Sequence, residues 1–164
     1  MLFRSTLVAE SQNLLVLHPS MPVHNVKELI AHARQRPIDI NYGSSGAGST
    51  PHLSAELFQY MTGAKITHVP YKGSGAGMVA LLSGEISMYF ANIPVAIQHV
   101  RNNRLRPIAL SGTRRNQAVP GVPTLSESGL PGFDVTSWFG IAAPAKTLRV
   151  IVDRLHGAVA RALQ

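Results

Sequence analysis

From Gly43 to Ser49 the chain reads Gly-Ser-Ser-Gly-Ala-Gly-Ser, and Thr50, Pro51 and His52 follow directly. Small residues let an anion approach the backbone closely, and a helix opening behind them offers N–H groups without intrahelical partners and a partial positive charge. The chemistry implied is a cradle for a carboxylate or a phosphate. Better-defined motifs do not fit. No Lys follows the last Gly as a Walker loop requires, and Ala47 stands where a nucleophile elbow needs its second Gly. No acid lies about 20 residues on at a strand end, as a dinucleotide fold would place it. Generic anion binding remains, with a plain chain-reversing turn as its bland alternative.

A second small-residue turn, Gly73-Ser74-Gly75-Ala76-Gly77, follows Tyr71 and Lys72, and Asn92 precedes Ile93-Pro94 as a candidate cap. The seven histidines show no pair at helical metal-ligand spacing and no acid partner nearby in sequence, so they read as solvated or singly hydrogen-bonded. His52 stands apart because it falls in the first turn of the anion-facing helix. A serine nucleophile among Ser44, Ser45 or Ser49 needs a base that spacing does not supply, and none of the eight acids sits in a Gly-rich turn. The reading is a non-catalytic binder with neither metal nor cofactor. The alternative is a small enzyme or a nucleotide- or phosphate-binding α/β domain that uses loop 43–49.

The elements around these turns alternate. Asn13–His18 is an apolar strand, and Asn25-Val-Lys-Glu28 has capping-box spacing before a helix with Val26, Leu29, Ile30 and Ala33 on one face, stopped by Pro37. Strand 38–42, helix 51–62 closed by Gly63, strand 65–71, a short helix 78–82, strand 85–91, a helix to about Arg101 and strand 106–110 follow. This order predicts an α/β fold, a mostly parallel sheet with helices on both faces, whose ligand edge is the carboxyl end of the strands. Residues 112–132 break into a Pro/Gly-rich loop with room for a short helix at Thr124–Ser128. A strand at 135–143 carries Trp138, read as packing, and an apolar helical stripe from Leu148 to Ala162 ends without a cap. The unpartnered stripe and the abrupt start predict a chain truncated at both ends.

The 164 residues are 45% hydrophobic and 14% charged, the balance of a globular chain with a real core. No apolar run approaches the roughly 20 residues of a membrane span, so the chain is not read as membrane-embedded. The first residues do not read as a signal peptide. Zero cysteines exclude a disulfide framework. The net charge of +7 comes from scattered arginines with no interleaved aromatic residues, which argues against nucleic acid and fits attraction of small anions.

Three stretches carry a family likeness: NYGSSGAGSTPHLSAELF, then ITHVPYKGSGAGMVALLSGEISMYFANIPVAIQHVRNNRLRPIALSG, then PGVPTLSESGLPGFDVTSWFGIAAP. Together they resemble the tripartite tricarboxylate transporter substrate-binding proteins, the Bug family, over residues 13 to 163. The resemblance implies a periplasmic solute-binding protein of type II with two α/β lobes closing on a small carboxylate for membrane transporter subunits or a sensor. It assigns residues 1–12 to a crossing segment left from the first lobe, 13–140 to the second lobe, and 141–164 to an incomplete return segment and helix. The crossings would lie near 7–16 and 134–143. Carried over by position, Ser44, Ser45, Gly46, Gly48, Ser49 and His52 face the carboxylate, and Tyr71, Lys72 and Gly73 form the second turn. Relatives usually read Asp-Asn where this chain has Ala91-Asn92. The missing carboxylate favours a plain di- or tricarboxylate over an amino acid.

Overall fold

The computed structural model describes residues 2–36 and 39–163, and the chain divides into two compact units. The larger comprises residues 12–136 and the smaller residues 2–11 with 137–163. Eleven elements run in the order β1 (Leu2–Leu17), α1 (Val26–Gln35), β2 (Asn41–Ser44), α2 (Thr50–Thr62), β3 (Thr67–Pro70), α3 (Ser74–Ser83), β4 (Met88–Asn92), α4 (Ile93–Arg101), β5 (Arg106–Leu110), β6 (Thr136–Pro144) and α5 (Arg149–Ala162).

In the larger unit the sheet order is β3-β2-β4-β1-β5. β2 is parallel to both β3 and β4, whereas β1 runs antiparallel to β4 and β5. The mostly parallel sheet is as expected. The antiparallel β1 is not read from the order of elements, but its position is explained by its residues: Leu14, Leu15, Val16 and Leu17 are all fully buried. A continuous apolar run fits a central strand covered on both faces. Odd and even positions feed separate cores. Leu15 and Leu17 pack with α1 and α2 through Val26, Leu29, Ala55 and Phe58. Leu14 and Val16 pack with α3 and α4 through Met78, Leu81, Ile93 and Ala96.

Several boundaries differ from the sequence reading. β1 begins at Leu2 rather than Asn13, because backbone pairing continues through the polar stretch Glu10-Ser11-Gln12, which hides the period. α3 begins at Ser74 rather than Met78, inside the Gly/Ser turn, where low intrinsic propensity is overridden by packing of Gly77 and Met78. The expected start of β2 at Ile38 and the helix stop at Pro37 lie outside the described residues. Thr124 to Ser128 forms a single turn. It is closed by a reciprocal pair in which the Glu127 N–H donates to Thr124 Oγ1 at 3.0 Å and the Thr124 N–H donates to Glu127 Oε2 at 2.9 Å.

The predicted cap of α1 forms. The Glu28 N–H donates to Asn25 Oδ1 at 2.9 Å, and Glu28 Oε2 accepts from the His24 N–H at 2.7 Å. Asn25→Ala is expected to lower stability by about 1 kcal/mol in urea unfolding, and an unchanged midpoint would show the cap to be idle. In the smaller unit β6 pairs with β1, and Val152 and Ala143 are buried. Leu148, Ile151 and Leu155 of the expected stripe are exposed. Trp138, read from sequence as a packing residue, is 64% exposed on β6, whose burial is confined to Ser137 and Ala143. Among the described residues no helix is long and apolar enough to cross a membrane.

Candidate functional site

β2, β3 and β4 lie side by side and parallel, and each delivers a helix from its carboxyl end: α2 after Ser44, α3 after Pro70 and α4 after Asn92. Their N-caps, Ser49, Gly73 and Asn92, make no side-chain capping bond. α1 starts at the opposite edge, because β1 runs antiparallel to its neighbours, and it is capped by Asn25. Three uncapped helix starts on one sheet edge concentrate unpaired N–H donors and partial positive charge there.

Loop 44–49 is a self-bonded scaffold. The Gly46 N–H donates to Ser44 Oγ at 3.1 Å, the Ser49 N–H and hydroxyl both donate to the Gly46 carbonyl at 3.2 and 2.7 Å, and the Gly48 N–H donates to His52 Nδ1 at 3.1 Å. Gly46 and Gly48 take φ of 126° and 77°, values that favour glycine. Backbone donors of Gly46, Gly48 and Ser49 are thus spent inside the loop, and Gly73 N–H is spent on the Tyr71 carbonyl at 3.0 Å. The donors left at this edge are those of the first helical turns. Ser45 is half-buried at the mouth, and its hydroxyl makes no such bond within the loop.

His52 braces the loop and is stacked. Its ring centroid is 4.3 Å from that of His68, whose own ring lies 4.8 Å from Tyr42. His68 Nε2 meets Ser44 Oγ at 2.7 Å, and His52 Nε2 lies 3.8 Å from Glu56 Oε1. The expectation that no histidine has an acid partner nearby in sequence is therefore corrected: His52 and Glu56 are one helical turn apart on α2. Burial first, and then the charge of His52, lowers the His68 pKa, with Glu56 opposing. The Tyr42 phenol is pushed up by burial and by its 2.6 Å bond to Glu56.

Tyr71 turns its hydroxyl to Glu85 at 2.8 Å, and burial with that bond raises its pKa to about 12. Its backbone N–H donates to the Ser44 carbonyl at 3.0 Å, which ties the second turn to the first. Lys72 is exposed. Asn92 sits at the end of β4 opposite Asn13 of β1, and the Oδ1 atoms of both are buried without a donor. Asn13 was not legible as a site residue. Its Nδ2 donates to Ser54 Oγ at 3.3 Å, and that hydroxyl is committed to the Thr50 carbonyl at 2.8 Å, which fixes the orientation of the amide. Ser74 and Tyr89 were also missed, because a serine in a glycine run and a tyrosine in an apolar strand carry no spacing signal.

Parallel strands that present uncapped helix starts along one carboxyl edge define an open α/β unit whose ligand edge suits an anion. The family model described as "Tripartite tricarboxylate transporter family receptor" matches residues 4–164, and the chain belongs to that family. Protein BugT of Bordetella pertussis is 36% identical over 159 residues, 97% of this chain and 49% of the relative. A Rhodopseudomonas palustris protein solved with adipate superposes with a TM-score of 0.92 at 40% identity, over 97% of this chain and 53% of that one. MatC from the same organism, solved with bound malate, gives 0.92 at 30% identity, over 98% and 55%. The chain spans about half the length of the curated relatives it matches.

Proposed function

We propose that the chain binds a small organic di- or tricarboxylate, without catalysis, as part of a periplasmic receptor that serves membrane transporter subunits or a sensor. Residues 12–136 form one lobe of that receptor in this reading. The observation that carries it is the row of three side-chain-uncapped helix starts at the ends of β2, β3 and β4. A carboxylate seated there accepts from first-turn N–H groups and from the hydroxyls of Ser45 and Ser74. Ser44, Gly46, Gly48, Ser49 and His52 hold the loop in shape, Tyr71, Lys72 and Gly73 shape the second turn, and Asn92 offers an acceptor. Adipate and malate in the two structural relatives support this ligand class. Neutral amide oxygens at Asn13 and Asn92 suit a ligand hydroxyl, or none, better than an ammonium, which needs a charge partner.

Calorimetric titration and thermal shift with adipate, malate, citrate, aspartate, inorganic phosphate and ATP test the reading. Binding to the native state alone stabilises by mass action, about 2.7 kcal/mol at a hundredfold excess over Kd. Carboxylates without an amino group are expected to raise the midpoint with no turnover. A shift by ATP or phosphate alone would favour the nucleotide or phosphate reading, and tight aspartate binding would overturn the ligand class.

A further inference from the structure

Tyr89 lies in β4 with its ring slotted between two glycines. A Cβ on Gly43 of β2 would stand 2.8 Å from Tyr89 Cδ2, and one on Gly77 of α3 would stand 2.5 Å from Cε2. The two missing side chains open the slot that lets the ring run along α3 toward its start. The residue is 1% exposed, yet its hydroxyl completes no hydrogen bond. A phenylalanine would fill the same slot without burying an unpaired hydroxyl, which is costly to leave unmade. The hydroxyls of Ser74 and Ser45 adjoin the phenol and partly offset the rise in its pKa that burial causes. Gly73, the N-cap of α3, has no side chain to cap with. Two half-buried serine hydroxyls, one buried phenol hydrogen and an uncapped helix start therefore meet between the two small-residue turns.

We propose that Tyr89 is a positioning residue for carboxylate binding: when a carboxylate is seated at the start of α3, the Tyr89 hydroxyl, unpaired without ligand, donates to Ser74 Oγ, with Ser45 as the neighbouring acceptor, and so turns the serine hydrogens outward to the ligand. The proposal rests on the reading above that the ligand is a carboxylate. A hydroxyl that receives a hydrogen bond is a better-oriented and stronger donor. The phenol stays protonated because it is buried, so it remains a donor throughout the neutral range.

The test is calorimetric titration of the full chain with adipate and malate, for wild type, Tyr89→Phe, Ser74→Ala, the double variant and Ser74→Thr. Tyr89→Phe is expected to weaken binding about tenfold while its ligand-free melting temperature stays level or rises, since only an unpaired hydroxyl is lost. Ser74→Ala should weaken binding similarly, the double variant no further than Ser74→Ala alone, and Ser74→Thr should bind like wild type. Affinity unchanged in Tyr89→Phe, losses that multiply in the double variant, or equal falls in affinity and ligand-free stability would overturn the proposal. If wild type binds no carboxylate, the functional reading fails and this one with it. Wild-type binding with an indifferent Tyr89→Phe defeats this one alone.

Discussion

Gly77→Ala is expected to destabilise the chain by about 1–3 kcal/mol, although alanine is the better helix former by about 1 kcal/mol. The new methyl carbon would lie 2.5 Å from Tyr89 Cε2, and the ring, 1% exposed with Gly43 of β2 on its Cδ2 side, has little room to retreat. Gly77 lies inside α3 and needs no left-handed conformation, so the penalty comes from overpacking alone. A second background serves as the control. In Tyr89→Leu the slot is relieved, and the same Gly77→Ala change should become neutral or stabilising as the propensity gain emerges. Urea unfolding followed by circular dichroism reads both. Equal effects of Gly77→Ala in the two backgrounds would mean that Gly77 is there for a reason other than the ring.

The contrast between Gly77 and Gly63 shows what a sequence exposes. Gly63 closes α2 with φ of 67°, and its place after the last apolar turn announces that role. Gly43 and Gly77 serve a partner that is distant in sequence, and nothing local marks them. The same division runs through the site. Loop 43–49, the second turn and Asn92 are readable because small residues and caps have local signatures. Asn13, His68, Ser74 and Tyr89 join the candidate site only when β1 lies beside β4 and β2 beside β3. Sheet order is set by which faces must be buried, and a run such as Leu14–Leu17 states that it is central without stating its direction. Spacing leaves carboxylate and phosphate both open, and only the family likeness points to a carboxylate.

Acid is expected to loosen the loop through the stacked histidines. His68 has a folded pKa below its ordinary 6.5, lowered first by burial and then by His52, with Glu56 pulling the other way. The unfolded chain therefore binds the proton more readily than the folded one. The His68 contribution is fully present above about pH 6.5 and is lost as pH falls through the lowered folded value. Other charged or titratable groups meet this pair, namely Glu56 of α2 and the Tyr42 phenol of β2. His68 Nε2 meets Ser44 Oγ at 2.7 Å, and Ser44 Oγ in turn holds the Gly46 N–H, so a change at His68 reaches the loop. Urea unfolding from pH 8 to pH 5 should thus show stability falling with acid. His68→Gln should start about 1 kcal/mol lower at pH 8, because it gives up the ring stack and the imidazole bond to Ser44, and then slope less steeply. A slope in His68→Gln as steep as wild type would place the acid sensitivity elsewhere. A wild type that gains stability toward pH 5 would show His68 to favour the proton, which its burial argues against.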